Sequence, residues 1–278
     1  MTFKKMRVFI TVKTYPTLSA KYDELVCTAG ITDKGKWVRI YPVPFRKLQW
    51  EQQYKKYQWI ELEVIKNKSD FRMESYRPTN QGKTIQSKEF IRHWEDRKKI
   101  ISKAKIYKDL NILIKEAKDK NKRTSLAIFK PKRIIDFKCE PVRNRKWDLE
   151  KIKVIKEKEK QLELFNSDKS DKPHEIFKMV KKLPYKFSYV FQDKLGKEST
   201  LMIEDWEIGA LYWTCLRKEK DEGRAIQKVR NKYLEEFNKK KDLYLFLGTT
   251  KKFHNVAPNP FVIIGIFYPP LNNQMSLL

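Results

Sequence analysis

Apolar residues open this chain in runs with the spacing of strands rather than helices. Val8–Pro16, Leu25–Ile31 and Lys36–Arg46 are rich in β-branched and aromatic side chains and are parted by short turn-forming stretches. Such runs predict successive strands of a small curled sheet. Tyr57–Ile65 alternates almost without interruption and predicts a fourth strand, with Phe71–Pro78 as an extended return. Next, Ile100, Ile101, Ala104, Tyr107, Leu110, Leu113, Ile114 and Ala117 recur every three or four positions and predict one Lys-rich helix over about 88–120 with a core-facing stripe. Leu126–Phe129 and Arg133–Phe137 read as strands that bring the chain back to the first sheet.

From about 141 to 182 the pattern fades. Lys151–Phe165 is mostly charged and 166–174 is a turn-rich polar tract, so the segment is expected to be an arm and linker with too little apolar surface to offset the ordering of a packed element. Leu162–Phe165 is the one stretch in it suited to anchoring against a neighbour. Tyr185–Phe191 and Ser199–Ile203 then flank a turn containing Gly196, which predicts a hairpin. A helix is expected to begin near Asp205, and a second one, over about 221–241, places Ala225, Ile226, Val229, Tyr233, Leu234 and Phe237 on one side. Asp242–Gly248 and Pro260–Tyr268 end the pattern as two buried strands. The resulting order is ββααββ, most simply two helices on one small antiparallel sheet.

Charge changes the picture more than composition does. The 278 residues carry 62 Lys and Arg against 35 Asp and Glu, a formal net charge of +27, which is the electrostatic footprint of a partner that is a polyanion. Lysine dominates, with 48 Lys to 14 Arg. Lysine gives salt-sensitive, sequence-independent attraction, whereas base-edge readers lean on the planar arginine fork; a lysine excess also arises from AT-rich genomic composition. Cys27, Cys139 and Cys215 are odd in number and far apart, which excludes a disulfide framework or a zinc knuckle built from them alone. The longest apolar run, 260–268, is too short to span a bilayer, and Met1–Arg7 carries no signal-peptide pattern, so a cytoplasmic protein without membrane contact is expected. Walker-type loops, GxGxxG, HExxH and GxSxG are absent, and only eight glycines occur, which argues against a nucleotide-cradling fold.

Several motifs together resemble a known family. Thr14–Pro16, Val26–Ile31, Trp37–Pro42 and Glu74–Pro78, with Asp205–Tyr212, Leu245–Gly248 and Phe261–Pro269, resemble an uncharacterised family of bacterial proteins over nearly the whole chain. The opening half is also similar to dual-OB-type domains, in which a Cys-Ala-Gly strand precedes a Trp-x-Arg strand. The second resemblance implies a β-barrel that binds nucleic acid. Many relatives in the first family carry a Cys- and His-rich turn before the Asp-Trp-Glu motif; Val190–Thr200 has neither residue type, so no zinc is implied here. The expected fold is therefore α+β: a β-barrel-like (OB/PUA-like) domain with a helical insertion over 1–140, a charged arm over 141–182, and a ββααββ domain over 183–278.

Two sets of residues carry candidate chemistry. Lys13, Tyr15, Trp37, Arg39, Tyr41 and Arg46, with Arg77 in the extended return, mix cations and aromatics in the way that nucleic-acid backbones and bases require. Trp37, Arg39 and Tyr41 alternate along one strand and so share one side of the sheet. That side is either an exposed platform or a core face whose Arg39 is paired to Glu24 or Glu74, because an arginine is costly to bury unpaired; the platform is the expectation carried forward. The second set joins Asp205 and Glu207 to His254 and Asn255, side chains able to activate water or hold a divalent metal. Two residues apart at a helix start, Asp205 and Glu207 do not share a helix face and read first as a cap and a first-turn charge. No cofactor or resident metal is predicted. His93 and His174 are isolated and expected at the surface, and Cys27 has no visible base.

The expected function is nucleic-acid binding, DNA or RNA, in a bacterial defence or mobile-element setting. The alternatives are an enzyme acting on nucleic acid, either a hydrolase or a base-excising glycosylase, and a protein-interaction scaffold.

Overall fold

Strand-forming runs at the N-terminus close on themselves. In the computed structural model, which describes residues 3–19, 23–166 and 179–271, the first unit contains β1 (Lys4–Lys13), β2 (Thr17–Ser19), β3 (Asp23–Ile31), β4 (Trp37–Val43), β5 (Gln58–Lys66), β6 (Ser75–Pro78) and β7 (Gln86–Phe90). The order β1-β3-β4-β6-β5 is closed by pairing of β5 with β1, making a five-stranded barrel, while β2 extends β3 and β7 extends β5. Every neighbouring pair in the circuit is antiparallel except β4 with β6, which run parallel through Arg39 opposite Ser75 and Ile40 opposite Tyr76. Closure follows from alternation. Val8, Ile10, Val26, Val38, Ile40, Ile60, Leu62 and Val64 fill the barrel interior, so slipping any one strand by a residue would turn its apolar set outward.

The predicted helix over 88–120 is broken. Instead β7 is followed by α1 (Trp94–Ile101), β8 (Ile106–Tyr107) and α2 (Leu110–Lys118). The apolar spacing misled because it runs on through an extended stretch: Asp109 accepts hydrogen bonds from the amides of Asn111 (2.9 Å) and Ile112 (3.3 Å) and starts a new helix there.

Nor do the next strands return to the barrel. β9 (Leu126–Phe129) pairs antiparallel with β13 (Tyr244–Thr249) and parallel with β8, and β10 (Arg133–Pro141) pairs along its length with β11 (Tyr185–Gln192). All four residues of β9 are buried. Leu126 and Ile128 face a core shared with Phe9, Val12, Ala29 and Ile31 of the barrel, whereas Ala127 and Phe129 face the core of the C-terminal half. A strand apolar on both sides is thus the central layer between two cores, a distinction that periodicity alone does not make.

The C-terminal strands do not lie on one sheet. β11 and β12 (Glu198–Met202) form the hairpin, with Gly196 at a φ of +82° that favours glycine. They extend β10, whereas β13 and β14 (Phe261–Phe267) belong with β9 and β8. The two sheets touch where Ile203 bridges Ile263. Between them run α4 (Trp206–Glu219) and α5 (Glu222–Arg230), the latter continuing through a π-helical stretch, Asn231–Glu236, into α6 (Phe237–Lys240). Where an arm was expected, Leu149–Asn166 forms an 18-residue helix, α3, that buries Ile155; the polar tract beyond it, with His174, lies outside the described residues, as do the side chains of Leu162–Phe165. The molecule is a mixed α+β protein with an N-terminal closed barrel.

Candidate functional site

The outward side of β4 does carry Trp37, Arg39 and Tyr41, as alternation requires, because Val38 and Ile40 point into the barrel. That side is covered. Trp37 packs edge-on against Phe246 of β13, ring centroids 5.9 Å apart. Arg39 is 3% exposed, so the platform expectation fails for it. The paired alternative fails as well. One terminal nitrogen donates to the carbonyl and the hydroxyl of Ser125, both at 3.0 Å, the other lies 3.5 Å from Cys27 Sγ, and among the described residues Nε has no hydrogen-bond partner. The Arg39 amide donates to the Glu74 carbonyl at 2.8 Å, but the guanidinium is linked to the Glu74 carboxylate through Ser125, whose hydroxyl donates to it, and Glu24 pairs with Arg46 at 2.7 Å. Tyr41 and Arg77 are half-buried.

Tyr15 and Lys13 are drawn into the same junction. Tyr15 Oη donates to the carbonyl of Lys181 and accepts from Trp213 Nε1, both at 2.8 Å; its ring lies so close to α4 that a Cβ at Gly209 would come within 2.2 Å of it. Burial pushes the Tyr15 hydroxyl up to about 12. The Lys13 amine donates to the carbonyl of Tyr54 at 3.0 Å and sits 4.3 Å from the Phe45 ring centroid and 5.3 Å from that of Trp206. Burial pulls its pKa down to about 8.

Beside Lys13 lies a charge cluster that sequence reasoning half found. Asp205 caps α4, accepting from the amide of Glu207 at 3.3 Å, and is 1% exposed. Its counterion is Lys56, in the stretch between β4 and β5. Lys56 Nζ lies 3.5 Å from Asp205 and 2.8 Å from Glu207, and donates to the Ile266 carbonyl at 2.9 Å. Burial disfavours the ammonium, but the two carboxylates outweigh it and hold Lys56 well above its ordinary range. Burial raises Asp205 to about 6 even against the pull of Lys56. Glu207, its side chain 41% exposed, is the cluster's opening to water. Nothing in the sequence pairs Lys56 with Asp205, 149 positions away; only the packing of α4 on the barrel does so.

His254 and Asn255 do not join that cluster. His254 is fully buried, with Nδ1 2.8 Å from Thr249 Oγ1 and Nε2 2.9 Å from the Ala117 carbonyl. A carbonyl only accepts, so Nε2 carries the proton and Nδ1 accepts from the Thr249 hydroxyl. Burial lowers the pKa of the ring. Thr249 in turn accepts at its carbonyl from Arg72 (2.5 Å), which clamps Asp70 through Nε (2.8 Å) and a terminal nitrogen (2.6 Å). Hydrogen bonds of His254 and of Asp205 therefore run to different partners. Asn255 is exposed. Of the four proposed catalytic side chains, Asp205 and Glu207 belong to the ion cluster at the start of α4, His254 belongs to a sealed polar staple, and Asn255 belongs to neither.

Among the described residues no group of three or more His, Cys, Asp or Glu is arranged to hold a metal ion, and no helix is long and apolar enough to cross a membrane. The three cysteines are free thiols, each partly buried. Residues 4–103, the barrel through α1, match the model of a domain of unknown function (DUF8758). No curated protein matches the chain. A second model covers 108–278, which is the greater part of the sequence, and the protein accordingly belongs to the family defined by a domain of unknown function (DUF8757).

Proposed function

We propose that the protein binds nucleic acid, and that it does so with exposed lysines rather than with the outward side of β4. The observation that carries this reading is the excess of 62 cationic over 35 anionic side chains, a field that attracts a polyanion at long range. The barrel adds support. Its circuit β1-β3-β4-β6-β5, with β4 and β6 parallel, fits an OB-like description, and OB barrels commonly carry oligonucleotides. Because Trp37 and Arg39 are occupied by β13 and Ser125, the contact falls elsewhere on the surface.

Fluorescence anisotropy with labelled single-stranded and duplex oligonucleotides, titrated between about 50 and 200 mM salt, tests the reading. Affinity is expected to be highest at low salt and to fall linearly on logarithmic axes. No binding at low salt, or binding indifferent to salt, overturns it and leaves the scaffold alternative.

A further inference from the structure

The segment 250–259, between β13 and β14, is held from below and open above. His254 anchors it to Ala117 at the end of α2, and the Phe71 ring packs edge-on against the imidazole, centroids 5.2 Å apart. Backbone bonds from His254 to Thr250 (3.1 Å) and from Ala257 to Phe253 (3.0 Å) fold the segment into turns. Held in this way, the segment turns its neighbours outward: Phe253 is 48% and Val256 73% exposed. Large apolar side chains left bare on a pinned segment mark a contact surface more often than singly scattered ones do.

The segment and the elements that anchor it carry exposed lysines. Lys251 and Lys252 immediately precede Phe253, with the Lys252 amine 5.4 Å from its ring centroid. Ala117, which accepts from His254, is followed by Lys118 at the end of α2 and Lys120 in the turn beyond it, and the 67–74 loop, which supplies the Phe71 and Arg72 contacts, carries Lys68. Among the described residues none of these five lysines makes an ion pair. We propose that a single-stranded nucleic acid seats on this rim, with a base stacked on Phe253 and its phosphates on the surrounding lysines. The inference rests on the nucleic-acid reading above and gives it a place. An exposed ring selects an unpaired strand, since a duplex hides its base faces, and lysines track phosphates without reading sequence.

The test uses the full chain and a labelled oligothymidylate of about 16 nucleotides, with an oligouridylate and a duplex of equal length as further arms. Lys251→Glu/Lys252→Glu is expected to weaken binding about tenfold or more and to flatten the salt slope by about 1.4, two single-strand phosphates' worth. Phe253→Ala is expected to weaken it about tenfold with the slope unchanged. Lys218→Glu/Lys232→Glu, the same charge change on exposed helical positions elsewhere, is expected to weaken it far less. All of these positions are exposed, and matched melting curves confirm folding. Wild-type binding that survives both rim variants, falls equally in the remote one, favours the duplex, or is competed away equally well by polyglutamate overturns the rim while leaving salt-dependent attraction intact. Absence of wild-type binding removes the underlying reading as well.

Discussion

Where α4 meets the barrel, Lys56 faces the carboxylates of Asp205 and Glu207; where β4 and β6 meet β9, the Arg39 guanidinium faces, among the described residues, the hydroxyl and carbonyl of Ser125 and the thiol of Cys27. Both cations are buried and both tie the two halves together. The first is compensated by opposite charge and keeps an outlet to water at Glu207. The second is compensated by neutral dipoles and has none. The contrast teaches what each cation is worth: a counterion that stays buried after its partner is removed is costly, whereas carbonyls and hydroxyls left behind are not charged.

The largest effect should come from breaking the ionic end. Lys56→Met strands Asp205 at 1% exposure and is expected to cost about 3–5 kcal/mol in urea unfolding at neutral pH. Lys56→Met/Asp205→Asn should recover most of that loss, because asparagine still caps α4 while carrying no charge. A single variant as stable as wild type would mean that Asp205 is not held by this lysine.

A smaller effect is expected at the other end. Arg39→Met removes a buried charge and leaves no carboxylate without a partner, since Glu74 keeps its bond from Ser125. The cost should be about 1–2 kcal/mol, with the loss of bonds to Ser125 partly offset by the charge no longer buried. A loss as great as that of Lys56→Met would reveal a carboxylate acting directly on the guanidinium.

The smallest is a pH effect that sharpens the comparison. Lys13, beside the ionic cluster, has its pKa lowered from 10.5 to about 8. Between these values the unfolded chain holds a proton that the folded chain has released, so raising pH favours folding. The stability difference between wild type and Lys13→Met should therefore rise in favour of wild type from about pH 8 to pH 10. A flat difference curve over that window would place the Lys13 amine in open water.

Local chemistry was legible wherever one face decided it. Alternation put Trp37, Arg39 and Tyr41 together on one side of their strand; Gly196 marked its hairpin and Asp205 its cap, because each depends on a few neighbouring residues. Illegible were the features that depend on what lies opposite. The apolar spacing from Ile100 to Ala117 ran through two helices and a strand, and the four buried residues of β9 did not say which sheet they complete.

By itself, then, the sequence determined the barrel strands, the hairpin, the α4 cap and the net positive charge, since side-chain period, turn chemistry and charge balance are properties of the chain. Tertiary structure alone decided that the aromatic and cationic side of β4 is an internal junction, that Lys56 is the partner of Asp205, and that His254 is an anchor whose neighbours stay bare. The reason is physical. Burial and pairing are set by the surface that arrives from the other half of the molecule, and no local pattern encodes that surface.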